Sequence, residues 1–150
     1  MKIFNGIAEL VSAAGTELGS SEWTLVDQKR IDSFADATGD HQWIHVDPAK
    51  AAAGPFGGTI AHGMLTVSLV PAFLFELYDV DGILMAINYG LNKVRFPAPV
   101  PSGSRLRGTS KVVEVTQLDG AVQWVLSTTV EIEGGTKPAC VAESIVRYIG

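Results

Sequence analysis

The clearest pattern in the chain is an alternation of period two. Val122, Trp124, Leu126, Thr128, Val130 and Ile132 alternate with Gln123, Ser127, Thr129 and Glu131, which predicts a strand with one buried face. Residues 84–96, 105–115 and 138–149 read as its neighbours, separated by turn sequences at PAPVPSGS, LDG and EGG. Consecutive strands joined by short turns make an antiparallel sheet. Between Gly63 and Tyr78 the pattern changes. Met64, Leu65, Val67, Leu69, Val70, Phe73, Leu74, Phe75 and Leu77 surround a helix on almost every side, so that helix is expected to be wrapped by other structure. Pro71 falls inside it and predicts a kink. A buried helix with a sheet curled round it is an α+β arrangement.

The first third of the chain is helical by the same reading. Ile3, Ile7, Leu10 and Val11 have helical spacing over residues 2–13, with Gly15 as the stop, and Glu22 to Val26 reads as a short strand. Asp27 is placed to cap a helix whose inner face is Ile31, Phe34, Ala35 and Thr38 and which ends at Gly39. Asp47-Pro48 reads as the cap and first turn of another short helix, closed by Gly54. The segment from Asp40 to Val46 is then a loop or brief extended stretch between two capped helices.

That loop changes the picture, because the chain has only three histidines and gathers all of them at positions 41, 45 and 62. Three readings of Asp40, His41, His45 and Asp47 compete. They can be ordinary polar loop residues. His41 and His45 have the i, i+4 spacing of two metal ligands on one helix face, but Gly39 and Pro48 bracket them and no third ligand is evident, so no metal is expected. Asp40 and His45 can also work as an acid–base pair holding one water, since burial beside an apolar chain makes a carboxylate a better base. Trp43 and Ile44 would then exclude bulk solvent. His41 looks peripheral and Asp47 a helix cap. In GGTIAHGML, Gly63 opens the apolar helix; its amide either suits an oxygen that becomes enolate-like, or the glycine only permits close packing while His62 satisfies a neighbouring backbone group.

Composition narrows the classes. The 150 residues are one domain's worth, 1–150, with 47% hydrophobic and 18% charged residues. A formal net charge of -5 argues against a nucleic-acid partner. A single cysteine, Cys140, leaves no disulfide framework. The apolar run from Ile60 to Phe75 is shorter than the ~20 residues of a bilayer span, and no signal peptide is apparent. A cytoplasmic protein without membrane insertion is expected.

The stretch FADATGDHQWIHVDPAKAAAGPFGGTIAHGML resembles the hydratase signature of the MaoC-like, (R)-specific enoyl-CoA hydratases and 3-hydroxyacyl dehydratases, and NYGLNKVRFPAPVPSGSRL resembles the strand and turn that follow in that family. The likeness covers about residues 20–149, and over its whole length the chain is similar to single-domain members of mycobacterial type. It implies a hot-dog fold, an antiparallel sheet wrapped round a long central helix, and a homodimer with active sites where subunits meet. It implies water addition across a trans-2-enoyl thioester to give an (R)-3-hydroxyacyl product. Asp40 and His45 match the catalytic pair and Gly63 the glycine whose amide binds the thioester oxygen. No cofactor is implied; coenzyme A or acyl carrier protein serves only as the substrate's handle.

The chain departs from the family pattern at three places. Pro71 stands where many relatives carry serine, leaving Ser68 as a substitute donor; Gly103-Ser104 replaces a frequent Gly-Asp turn; and Trp43 replaces a frequent proline. Lys93, Arg95, Arg105 and Arg107 are candidates for carrier phosphates or simply a solvated strand face. Asn88, Tyr89 and Asn92, in a strand expected to be partly buried, line a pocket or satisfy backbone. The rivals to a hydratase are a (3R)-hydroxyacyl-ACP dehydratase of fatty acid synthesis, a hot-dog acyl-CoA thioesterase and a non-catalytic acyl-CoA-binding subunit.

Overall fold

A computed structural model describes residues 1–150. Its elements run β1 (Lys2–Asn5), α1 (Gly6–Val11), β2 (Glu17–Ser20), β3 (Thr24–Val26), α2 (Gln28–Thr38), α3 (Trp43–Val46), α4 (Pro48–Ala52), α5 (Gly63–Ser68), α6 (Val70–Leu77), β4 (Tyr78–Asp81), β5 (Met85–Arg95), β6 (Ser104–Leu118), β7 (Ala121–Ile132) and β8 (Cys140–Ile149). The large sheet has the order β2-β6-β7-β8-β5, with β3 also pairing β6, and every pairing within it is antiparallel. The alternation read along 122–132 is real: Val122, Trp124, Leu126, Thr128 and Val130 are fully buried. They face the helical layer α5–α6, so the sheet wraps a central helix in the hot-dog arrangement.

The close approach of helix to sheet depends on one glycine. A Cβ at Gly108 of β6 would lie 2.7 Å from the Phe73 ring of α6, nearer than atoms tolerate. Register shifts bend the sheet further, at Val112/Glu114 in β6 and at Asn88/Gly90 and Leu91/Lys93 in β5. A bulge of this kind adds local twist and lets a sheet curl.

Three expectations are corrected. Residues 2–13 are not one helix. Lys2–Asn5 pair parallel with Tyr78–Asp81, and Gly6, at φ 77, turns the backbone before α1 begins. Two short strands, β2 and β4, are also present that no alternation marked. The segment Asp40 to Val46 contains a helical turn, α3, because the Gln42 carbonyl accepts from the His45 amide at 3.0 Å and Trp43 O from Asp47 N at 3.1 Å. The central helix is interrupted at Leu69 (φ -81, ψ -14), with Pro71, which has no backbone N–H to donate, in the first turn of α6. It is not wrapped on all sides, however. Met64 is 61% exposed and Phe75 77%.

Strand β5 is the other surprise. It was expected to be partly buried, yet every residue from Met85 to Arg95 except Val94 is exposed. It forms the free edge of the sheet, and Met85, Ile87, Tyr89 and Leu91 present apolar side chains there. Edge strands of this length and composition are templates for pairing with another chain.

Candidate active site

Helix α2 is built to deliver Asp40. Asp27 caps it by accepting from the Arg30 amide at 2.9 Å, and Gly39 ends it in the left-handed conformation at φ 83, a region other residues enter at a cost. The chain therefore reverses at Gly39 and turns into α3. The Asp40 carboxylate accepts from the Gln42 amide at 3.3 Å, and its side chain stays at the exposed mouth of the site.

One turn later His45 points inward and is only 7% exposed. Its Nδ1 lies 2.7 Å from the Ile60 carbonyl oxygen. A carbonyl only accepts, so Nδ1 carries the proton and Nε2 offers a lone pair. The main chain is held as firmly. Ile60 N donates to Ile44 O at 3.0 Å. Gln28 donates to the His45 carbonyl at 2.7 Å and accepts from the Thr59 hydroxyl. Gln28 was not singled out from sequence, and nothing in its neighbourhood marks it: in the first turn of a helix a glutamine looks like surface.

His62 completes the cluster. It is 2% exposed. An Asp40 carboxylate oxygen and one ring nitrogen each of His45 and His62 all lie within 4.8 Å of one another, a separation that one water, with hydrogen bonds of about 2.8 Å, can span. The third residue that the loop alone did not supply is therefore present in space. The geometry suits a metal ion poorly. A histidine binds an ion in the plane of its ring, and the His45 and His62 rings are stacked, with centroids 3.9 Å apart and planes 25° apart. Their lone pairs do not converge on one point.

His45 and Gly63 line a cleft of about 310 Å³ together with Phe56, Ile60, Thr66 and Phe96. Its walls are mostly apolar, and its mouth is framed by the half-exposed rings of Phe56 and Phe96. Trp43 and Ile44 are not among the residues that line it. Trp43 instead packs against Gly54 and sits under the Lys50 ammonium at 4.8 Å. Gly63 is the first residue of α5, where amides lack an intrahelical acceptor. A Cβ there would stand 2.8 Å from the Phe96 ring. Close packing of Phe96 therefore calls for glycine at this position. Gly63→Ala is predicted to leave the protein folded, with a thermal midpoint within a few degrees, but to push Phe96 into the cleft and lower kcat/KM at least ~10-fold, since displacements near 1 Å can cost a hundredfold. Steady-state kinetics beside a melting curve reads both.

Other sequence candidates lie elsewhere. His41 is exposed and bonds Asp36 at 3.0 Å; that hydrogen bond raises its pKa above the ordinary histidine value. Asp47 caps α4 by accepting from Lys50 N at 3.1 Å. The Ser68 hydroxyl donates to the Met64 carbonyl at 2.6 Å. It lines a separate groove of about 290 Å³ along α5–α6, shared with Pro71, Asn88, Leu91 and Ser144, and so does not replace a missing donor beside His45. Tyr89 and Asn92 fall at the two register shifts of β5, and Tyr89 carries the Arg147 guanidinium over its ring at 3.5 Å. Arg107 pairs with Glu131 at 2.7 Å and Arg105 with Glu133 at 3.5 Å, whereas Lys93 and Arg95 are exposed and no carboxylate pairs with them. Cys140 is buried, and burial pushes its thiol up to about 11, which makes it inert as a nucleophile at neutral pH.

A hot-dog domain with a carboxylate within reach of an imidazole that lines an apolar cleft points to an enzyme of the hydratase/dehydratase class. Residues 9–134 match the family described as MaoC like domain, and the chain belongs to that family. It is 61% identical over 150 residues to 3-hydroxyacyl-thioester dehydratase Z of Mycobacterium tuberculosis (strain ATCC 25618 / H37Rv), covering 99% of each chain. It is 50% identical over 143 residues to nodulation protein N of Rhizobium leguminosarum bv. viciae, covering 93% of this chain and 88% of the other. Among solved structures, the unliganded R-hydratase PhaJ1 from Pseudomonas aeruginosa superposes with a TM-score of 0.71 at 27% identity, covering 89% of this chain and 79% of that one. No helix is long and apolar enough to cross a membrane.

Proposed function

We propose that this protein interconverts trans-2-enoyl and (R)-3-hydroxyacyl thioesters, with coenzyme A as the carrier and in the cytoplasm. The observation that carries the reading is the shared reach of the Asp40 carboxylate and the His45 ring, the latter lining an apolar cleft. In the hydration direction a water is held between Asp40 and His45 Nε2. The pair takes one proton from it as oxygen bonds to the β-carbon. The thioester oxygen gathers the displaced electron pair and is held by the Gly63 amide. A proton from the same pair then goes to the α-carbon on the same face. Dehydration runs these steps backwards.

The name of the mycobacterial relative favours the dehydration direction and leaves the carrier as a thioester. A dehydratase acting on acyl carrier protein is therefore the second reading. The test is a purified-protein assay with one acyl chain presented on coenzyme A and on acyl carrier protein, in both directions. Turnover of the coenzyme A substrate with higher kcat/KM supports the proposal. Release of free thiol without hydration would identify a thioesterase instead, and no turnover on either carrier would reduce the chain to an acyl-binding subunit. Lys93 and Arg95, at the end of β5 next to Phe96 of the cleft and free of carboxylate partners, are the proposed phosphate contacts.

The assembly follows from β5. Two copies pairing these strands antiparallel would satisfy the open edge and cover Met85, Ile87 and Leu91, giving a homodimer. Sedimentation is expected to give twice the 15.9 kDa chain mass. Ile87→Lys combined with Leu91→Lys is expected to give the monomer, because facing lysines repel and resist pairing. A wild-type monomer at micromolar concentration would contradict this.

A further inference from the structure

His62 occupies an unusual position for a residue with no direct access to the apolar cleft. Its Nε2 lies 2.9 Å from the Asp40 backbone carbonyl. Its ring stacks on His45 at 3.9 Å and meets Phe34 of α2 at 4.9 Å. Its Nδ1 is buried and has no hydrogen-bond partner. It stands at the N-cap of α5, yet its side chain makes no capping bond. The contacts of this one ring therefore go to α2, to the main chain of one proposed catalytic residue and to the side chain of the other.

We propose that His62 is a positioning residue that aligns Asp40 with His45, acting as the neutral ring protonated at Nε2. This rests on the assignment of Asp40 and His45 as the reacting pair. The tautomer follows from the partners. The Asp40 carbonyl can only accept, so Nε2 bears the hydrogen, and Nδ1 is left as a lone pair. A leucine or phenylalanine would fill the same volume without burying an unpartnered nitrogen, so packing alone does not account for a histidine here. The hydrogen bond fixes where the Asp40 main chain ends, and the stack fixes the plane of His45, whose Nδ1 is already tied to Ile60. Two complementary tautomers result: His45 keeps Nε2 free for the water, and His62 keeps Nε2 occupied. Neutrality also matters to His45 when it takes up a proton, because the face of an uncharged aromatic ring is electron-rich and a second imidazolium would repel it.

Two substitutions separate the functions of the ring. His62→Gln keeps an N–H donor within reach and removes the stack; His62→Phe keeps the stack and removes the donor. Each is expected to lower kcat by about 10- to 100-fold, as for a misalignment near 1 Å, with KM changed less than about threefold. Long-range proton–nitrogen correlation NMR of the wild-type protein should show His62 neutral with its hydrogen on Nε2, and His45 with its hydrogen on Nδ1, at neutral pH. Wild-type turnover in either folded variant, or a His62 that is charged or protonated on Nδ1, overturns the proposal. The NMR result decides it if both variants fail to fold. Full activity in His62 variants with loss in Asp40→Asn refutes the positioning role alone. Full activity in Asp40→Asn and His45→Gln refutes the catalytic pair itself.

Discussion

Asp40→Asn and His45→Gln are each expected to slow hydration of a short trans-2-enoyl-CoA by about two to four orders of magnitude, the range over which general acid–base help operates. The argument is local. Asparagine keeps the size of Asp40 and can still accept from the Gln42 amide, which is the only bond the carboxylate makes, at 3.3 Å. It cannot take a proton. Glutamine at 45 can reach the Ile60 carbonyl but offers no basic nitrogen where Nε2 now stands. The two differ in what they do to the fold. Asp40 is exposed, so its variant should melt with the wild type. His45 is buried, and its variant should melt somewhat lower. Loss of the conjugated enoyl absorbance measures turnover, and circular dichroism checks the fold. Unchanged turnover in both folded variants would remove the basis of the mechanism.

Trp124→Ala should have the largest effect on stability. Trp124 is fully buried at the centre of the sheet's inner face. Phe4 and Tyr148 meet its ring edge-on at 5.1 Å, and Tyr78 at 5.4 Å. Its Nε1 donates to the Leu10 carbonyl at 2.9 Å. Truncation loses the packing of a large aromatic, worth about 3–5 kcal/mol, and leaves the Leu10 carbonyl without its partner, about 1–3 kcal/mol more if no water replaces it. Each kcal/mol moves the midpoint of a domain this size by about 2–4 °C, so a thermal scan should fall by at least ~6 °C. Trp124→Phe, which keeps most of the ring contacts, should lose less. Equal losses in both would mean that the hydrogen bond, not packing, dominates.

What could be read from the sequence follows the strength of local physics. Strand β7 announced itself because its core positions alternate and its neighbours enforce that alternation. Asp27, Gly39 and Asp47 were legible because capping needs only residues close in sequence. The signature motif brought Asp40, His45 and Gly63 together, and the structure places the first two within reach of each other and His45 and Gly63 on one cleft. Other features depend on distant partners. Lys2–Asn5 become a strand because Tyr78–Asp81 offer an edge, whereas their own spacing favours a helix. Gln28 and His62 act through contacts 17 and 22 positions away, which no window of sequence displays. Strand β5 reads as partly buried from its apolar residues, whereas its place at the edge of the sheet, set by pairing with β8 alone, leaves it exposed.

The N-terminal segment has a consequence for how the molecule is made. Its strand leans on residues 78–81, and the helix that follows offers Leu10 to an indole 114 positions later. The first contact becomes available once residues 78–81 have been made, the second only once Trp124 has. Lys2–Asn5 can therefore pair well before Leu10 finds its partner in β7. Contacts this far apart in sequence carry a large loop-closure cost, so loosening β7 is expected to release the helix that holds Leu10 as well.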